Sequence, residues 1–151
     1  MKKEQPNINI RNKKASFNYE FIDTLTCGVQ LMGTEVKSFK EGKVSLNEAY
    51  CFINDHELFI KGMNIAIYEQ GTYNNHQPTR VRKLLIKKQE IKKFEEKLKE
   101  QSLTIVPVNM FLSERGWAKI HVALAKGKKV HDKRDSLKKK DLQRDLDRGK
   151  Y

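Results

Sequence analysis

Leu103–Leu112 (LTIVPVNMFL), Ser113–Gly116 (SERG) and Trp117–Ala125 (WAKIHVALA) form the stretch whose pattern decides the fold. In its second half Ala118, Ile120, Val122 and Leu124 take every other position, and Lys119 and His121 fall between them. A period of two puts apolar side chains on one face of an extended strand and polar ones on the other. Ser113, Glu114, Arg115 and Gly116 supply a turn, with Gly116 suited to a left-handed backbone, so the two runs predict an antiparallel hairpin.

Toward the N-terminus the period changes. Ile91, Phe94 and Leu98 repeat at three and four, which predicts a helix over Gln89–Gln101. Before it, Arg80–Lys88 carries five basic residues around Leu84, Leu85 and Ile86, and Glu69–Thr79, rich in Gly, Asn, Gln and Thr, reads as a loop. A second hairpin is expected from Ala49–Ile53 and Glu57–Lys61 across Asn54, Asp55 and His56, with Met63–Tyr68 extending its second strand. Thr34–Lys43, with Val36 and Phe39 three apart and Gly42 after them, predicts a short helix. Phe17, Tyr19 and Phe21 alternate, and Val29 and Leu31 resume the alternation, so Phe17–Gly33 is expected to form two strands joined near Gly28.

The ends differ in character. Residues 1–12 are polar, contain Pro6 and Asn7, and read as a flexible arm. Residues 126–151 hold eleven basic and five acidic residues, with only Leu137, Leu142 and Leu146 as large aliphatics beside Val130, too few for a core or a stable isolated helix. They are expected to be a basic tail that is disordered until bound, with Leu142 and Leu146 lying along one side of an induced helix. The expectation for residues 13–125 is a mainly β domain, a small antiparallel OB-like barrel with flanking helices.

At 151 residues the chain suits one domain, and 31 Lys and Arg against 19 Asp and Glu give it a formal charge of +12. Such an excess seeks a polyanion. Arg11, Lys13, Lys14, Arg80, Arg82, Lys83, Lys87, Lys88 and Lys119 are the candidate phosphate contacts outside the tail. Each alone is ordinary on a solvated face, whereas the set points to RNA. The tail opens on AKGKKVHDKR (Ala125–Arg134), where Gly127 gives bare backbone between lysines and His131 could stack on a base. Glu35 reads as a first-turn carboxylate favoured by the helix dipole.

Other classes find no support. There is no glycine-rich phosphate loop or nucleophile elbow, His56, His76, His121 and His131 are scattered, and a ribonuclease would rest on His121 and Lys119 alone. No enzyme activity, metal or cofactor is expected. Cys27 and Cys51 read as two reduced thiols, and the absence of a long apolar stretch or signal-peptide block leads us to expect a soluble cytoplasmic protein, without a stripe that asks for a dimer. The rival to be weighed is another ribosome-associated or cold-shock-like RNA binder. Those use aromatic stripes on a strand face, whereas most aromatics here fall at positions that suit a core.

Three blocks in order, Gly33–Ser38 (GTEVKS) with Gly42 and Lys43, Pro78–Ile86 (PTRVRKLLI) and Ala125–Arg134, resemble the SsrA-binding protein family, also called small protein B. The resemblance implies an OB-like barrel that grips the tRNA-like domain of transfer-messenger RNA, and a tail that enters the small-subunit decoding region of a stalled ribosome in place of codon–anticodon pairing. It places RNA binding on Asn12, Leu85 and Lys119, supported by the surrounding basic residues. It places ribosome contact on Asp132, Lys133 and Arg134, with Lys126, Gly127 and His131, and the adjoining Lys128 and Lys129 belong to the same run. Where the family commonly has an acidic residue two positions before the strand glycine this chain has Thr26, a hydroxyl that could bond RNA without charge.

Overall fold

In the computed structural model, residues 7–71 and 74–128 are described. The hairpin is as expected. Strands β8 (Thr104–Leu112) and β9 (Ala118–Gly127) pair antiparallel from Thr104↔Ala125 to Leu112↔Ala118. Gly116, at φ +86°, turns the chain between them. The register shifts between Pro107 and Asn109, where Pro107 has no N–H to give the ladder and Val108 is the extra residue.

The expected pair of strands over 17–33 is a single strand, β2 (Tyr19–Val29), preceded by helix α1 (Lys13–Asn18). Gly28 lies inside the strand and makes no turn; it pairs with Leu85 on one side and Lys119 on the other. Phe17 and Tyr19 share a period of two, yet the side chain of Asn12 accepts the Ala15 N–H and starts a helical turn that takes Phe17 out of the strand.

Helix α2 (Gly33–Lys40) ends before Gly42, whose φ of +75° reverses the chain. The second hairpin joins β4 (Tyr50–Asn54) to β5 (Glu57–Lys61), with φ of 51° at Asp55 and 61° at His56, the pair of left-handed residues that a two-residue hairpin turn requires. Residues beyond it do not extend β5. Instead β6 (Asn64–Ile65) pairs with β3 (Val44–Ser45) as a separate ladder. Strand β7 (Arg82–Leu85) leads to helix α3 (Lys88–Glu100), which buries Ile91 and Phe94.

The ladders β8–β4, β4–β5, β5–β7, β7–β2, β2–β9 and β9–β8 close a ring of six strands. A closed ring leaves few unpaired edges and one enclosed core. Phe39, Leu58, Ile60, Met63, Ile65, Leu84, Met110, Ile120, Val122 and Leu124 fill it. Cys27 and Cys51 are buried free thiols; burial, then the charge of Glu90, raises the Cys27 pKa to about 12 against a weaker lowering by Lys119. No helix among the described residues is long and apolar enough to cross a membrane.

Two boundaries move. The expected arm, residues 1–12, gives up its last part to the body, because β1 (Asn9–Arg11) pairs with β8 and Ile8 packs against the core. At the other end β9 runs on through Lys126 and Gly127, and the Lys128 N–H donates to the Asn18 carbonyl at 2.9 Å. The conformational expectations for the rest of the tail, residues 129–151, lie outside the described residues.

Candidate nucleic-acid interface

Residues opposite one another in a ladder share a face of the sheet. Following the pairs Leu85↔Gly28, Gly28↔Lys119, Lys119↔Phe111 and Phe111↔Asn9 traces one row across β7, β2, β9, β8 and β1. A second row, Thr26↔His121, His121↔Asn109 and Asn109↔Arg11, lies beside it. Both face outward, because the alternate positions Cys27, Leu84, Met110 and Ile120 fill the core.

The outer face of β8 and β9 is open only at this end. At the other end α1 lies across it, and Ala15 packs on Val106 and Ala125. The small side chains Ala123 and Ala125 in β9, both fully buried, permit that close approach. Sequence periodicity explains the inner face but does not by itself distinguish Lys119 and His121, left open, from Ala123 and Ala125, covered.

The rows are internally braced. The Thr26 hydroxyl and His121 Nδ1 share a hydrogen bond of 2.9 Å, the His121 ring stacks on Phe111 with centroids 4.7 Å apart, and Asn109 Nδ2 donates to Asn9 Oδ1 at 2.8 Å. Leu85, 53% exposed, and Trp117, 67% exposed, project beside Lys119. A large aliphatic and a large aromatic held in water next to cations form a surface suited to the flat, apolar face of a nucleobase and its phosphate.

The structure sorts the expected contacts. Leu85, Lys119 and Thr26 stand on the open rows. Lys13 and Lys87 are exposed, as is Lys14, whose ammonium is held by Glu48 at 2.6 Å. Lys83 points outward on β7 and pairs with Glu57 at 3.0 Å. Arg80 is half-buried, and one of its nitrogens donates to Glu35 Oε1 at 2.5 Å.

Two candidates are corrected. Arg82 is fully buried: Nε donates to Glu35 Oε2, Nη1 to the Met63 and Arg80 carbonyls at 2.9 Å each, and Nη2 to Pro78 O at 3.1 Å. It cannot reach RNA, and its place in a basic run hides that β7 alternates inward and outward. Asn12 is also buried; its Nδ2 donates to the Pro107 carbonyl at 2.9 Å and its backbone N–H to the Val108 carbonyl at 2.9 Å. It plugs the β8 bulge and caps α1, so its side chain is committed to the scaffold.

Glu35 is the first-turn carboxylate of α2, as expected, but it does more than face the helix dipole. It is fully buried, accepting from the Met32 N–H at 2.7 Å as well as from Arg80 and Arg82. Burial pushes its pKa up, but the bonds from Arg80, Met32 and Arg82 outweigh burial and hold it below the ordinary value.

The expectation that most aromatics lie in the core also fails. Phe39 and Phe94 are fully buried, whereas Phe52 and Phe59 stack on the outer face of β4 and β5 at 5.6 Å, and Tyr50, Phe111 and Trp117 lie outside as well. Trp117, Phe111 and Asn109 stand on or beside the open rows, and sequence periodicity alone does not mark them as site residues. The signal for them is the cross-strand register, which a sequence states only once the hairpin turn is fixed. Among the described residues no group of three or more His, Cys, Asp or Glu could hold a metal ion.

Comparison with known proteins places this architecture. The SmpB protein family matches residues 9–150. The SsrA-binding protein of Phocaeicola vulgatus is 57% identical over 141 residues, covering 93% of this chain and 94% of that protein. The SsrA-binding protein of Cytophaga hutchinsonii is 51% identical over 142 residues, covering 94% of this chain and 93% of that one. A solved chain described under "tmRNA-SmpB: a journey to the center of the bacterial ribosome" superposes with a TM-score of 0.69 at 38% identity, covering 87% of this chain and 94% of its own. The closed strand ring and the sequence agree over nearly the full length, and the chain belongs to the SmpB protein family.

Proposed function

We propose that this chain binds transfer-messenger RNA, the SsrA RNA, and delivers it to stalled ribosomes in trans-translation, without catalysing a reaction of its own. The observation that carries this reading is the open row of Leu85, Gly28, Lys119 and Phe111 on a closed strand ring, in a chain of this family. A ring fixed on all sides presents a preformed surface to a folded RNA, so little ordering entropy is lost in docking. Lys119 neutralises a phosphate, Leu85 meets the sugar or base beside it, Thr26 offers a neutral hydroxyl, and Lys13, Lys14, Lys83, Lys87 and Arg80 supply the surrounding field.

The basic run Lys126, Gly127, Lys128, Lys129, His131, Asp132, Lys133 and Arg134 serves a second partner, the ribosomal small-subunit decoding region. Its net positive charge suits ribosomal RNA, which it contacts there in place of codon–anticodon pairing. The protein acts as a monomer in the cytoplasm, free of cofactors.

Separating the two parts tests the reading. Deleting Asp132–Tyr151 should leave transfer-messenger RNA affinity within a few-fold, measured by gel shift, and abolish tagging of peptides on stalled ribosomes. Lys119→Ala should weaken RNA binding and lower the slope of log affinity against log salt by about one unit. Equal loss of both activities on tail deletion, or an unchanged slope for Lys119→Ala, would overturn this division of labour.

A further inference from the structure

Trp117 is the chain's single tryptophan and, at 67%, its most exposed large apolar side chain among the described residues. Its backbone is fixed in the β8–β9 turn: the Ser113 N–H donates to the Trp117 carbonyl at 2.8 Å, and the Trp117 N–H donates to Ser113 Oγ at 3.0 Å. Phe111, which lines a cleft with it, has its ring stacked on His121, and among the described residues no ring stacks on the indole. A rigid backbone thus holds a large flat apolar surface in water, a cost to the free protein that burial in a complex would offset.

Two shallow clefts flank this side chain, and both are lined by Trp117 and Lys119. The first adds Gly28 and Leu85; the second adds Phe111 and Arg115. Gly28 leaves the first cleft without a side chain on its strand position, since a Cβ there would lie 3.3 Å from Leu85 Cβ and force that neighbour to move. The cleft is therefore apolar on its sides and cationic at its edge, and it is continuous with the open row that carries the proposed RNA contact.

We propose that Trp117 is a stacking platform for one unpaired nucleobase of the bound RNA, with Leu85 lining the same cleft and Lys119 taking the adjoining phosphate. This rests on the RNA-binding reading above and adds to it the kind of nucleotide recognised. A base has a π face wherever it is unstacked, and an A-form duplex hides those faces, so the occupant is a base in a loop or a bulge. Arg115 and Lys119, which line one cleft with the indole against the single carboxylate of Glu114, favour a polyanion over an apolar protein segment.

Because there is one tryptophan, fluorescence excited at the red edge, where the five tyrosines do not absorb, reports on this position alone. Titration with transfer-messenger RNA should quench it saturably, along the same curve as a gel shift, and should protect it from acrylamide. Trp117→Ala should weaken binding by about 10- to 100-fold, and Trp117→Phe, which keeps a ring, by only a few-fold, with circular dichroism and urea midpoints unchanged in both. A duplex RNA of equal length should leave the fluorescence unaltered. Tight binding by gel shift without quenching or protection overturns the platform while the RNA-binding reading stands, as does a Trp117→Ala variant that binds like the parent. Equal quenching by duplex overturns the unpaired base, and no binding by the parent protein overturns both.

Discussion

Replacing Glu35 by Gln removes the charge that neutralises Arg82 and leaves the geometry nearly intact. In the native protein the carboxylate accepts from Arg80, Arg82 and the Met32 N–H, with neither Glu35 nor Arg82 reached by water. The Arg82 guanidinium keeps its carbonyl partners Met63, Arg80 and Pro78 but becomes an uncompensated buried cation. Breaking a buried pair by removing one partner costs about 3–5 kcal/mol. With a urea slope of about 2 kcal/mol per molar, the unfolding midpoint should fall by about 2 M. The pH dependence carries a second signature. Because the folded pKa of Glu35 is lowered, its contribution is complete above the unfolded carboxylate value and is lost as pH falls through the folded one. The gap between parent and Glu35→Gln should therefore be full at neutral pH and shrink progressively below about pH 4. Urea titrations followed by circular dichroism at neutral and acidic pH decide it. A midpoint change under about 0.5 M, roughly 1 kcal/mol at that slope, or a gap that widens in acid, would refute the assignment.

Asn12→Ala should cost about 1–2 kcal/mol of stability through the lost α1 cap and the orphaned Pro107 carbonyl, while the affinity of the folded fraction for RNA stays unchanged; a lowered affinity of the folded fraction would make Asn12 a direct contact. The thiols of Cys27 and Cys51, raised by burial, should react with Ellman's reagent at pH 8 only after unfolding, and rapid release from native protein would contradict their placement in the core. The double variant Glu35→Leu, Arg82→Met should recover most of the stability lost by Glu35→Gln yet bind transfer-messenger RNA more weakly than the parent, as measured by urea midpoint and gel shift; full recovery of both would deprive the ion pair of any role in presenting the RNA face.

Periodicity gave the β8–β9 and β4–β5 hairpins and helix α3, because each has an uninterrupted period and a turn residue that fits its conformation. It misread 17–33 because alternation at Phe17, Tyr19 and Phe21 is compatible with a strand, and the competing force, the Asn12 side chain on the Ala15 N–H, acts from outside the window. It could not show β1, since three residues make a strand only when β8 offers an edge at Asn109–Phe111. For the proposed site, the family resemblance points to Lys119 and Leu85, and charge points to Lys119 as well, whereas Trp117, Phe111 and Asn109 depend on which residues stand opposite across three ladders. Charge was the least discriminating signal. In the run Arg80, Arg82, Lys83 and Lys87 it does not separate the buried cation Arg82 from the outward Lys83, for both are basic and adjacent.

Strand β7 shows why a buried ion pair stands where an apolar pair could pack. Its sequence after Arg82 and Lys83 is Leu84, Leu85, Ile86, three consecutive apolar residues, so burial alone sets little preference for Leu84 over Leu85 facing the core. The strand is short, pairing with β5 through Leu58↔Leu84 to Ile60↔Arg82 and with β2 through Gly28↔Leu85 and Val29↔Leu84. A slip of one residue would bury Leu85 and expose Leu84 at small apolar cost. It would also bury the Lys83 ammonium and turn Arg82 away from Glu35, breaking the bonds to the Met63, Pro78 and Arg80 carbonyls. The second penalty is several kcal/mol and the first is nearly nil, so the guanidinium fixes the register. Leu85 then faces Gly28 and the Trp117 cleft because Arg82, three residues earlier, is locked inward. The stability that a hydrophobic pair would have added is offset by a unique alignment of the row proposed to meet RNA.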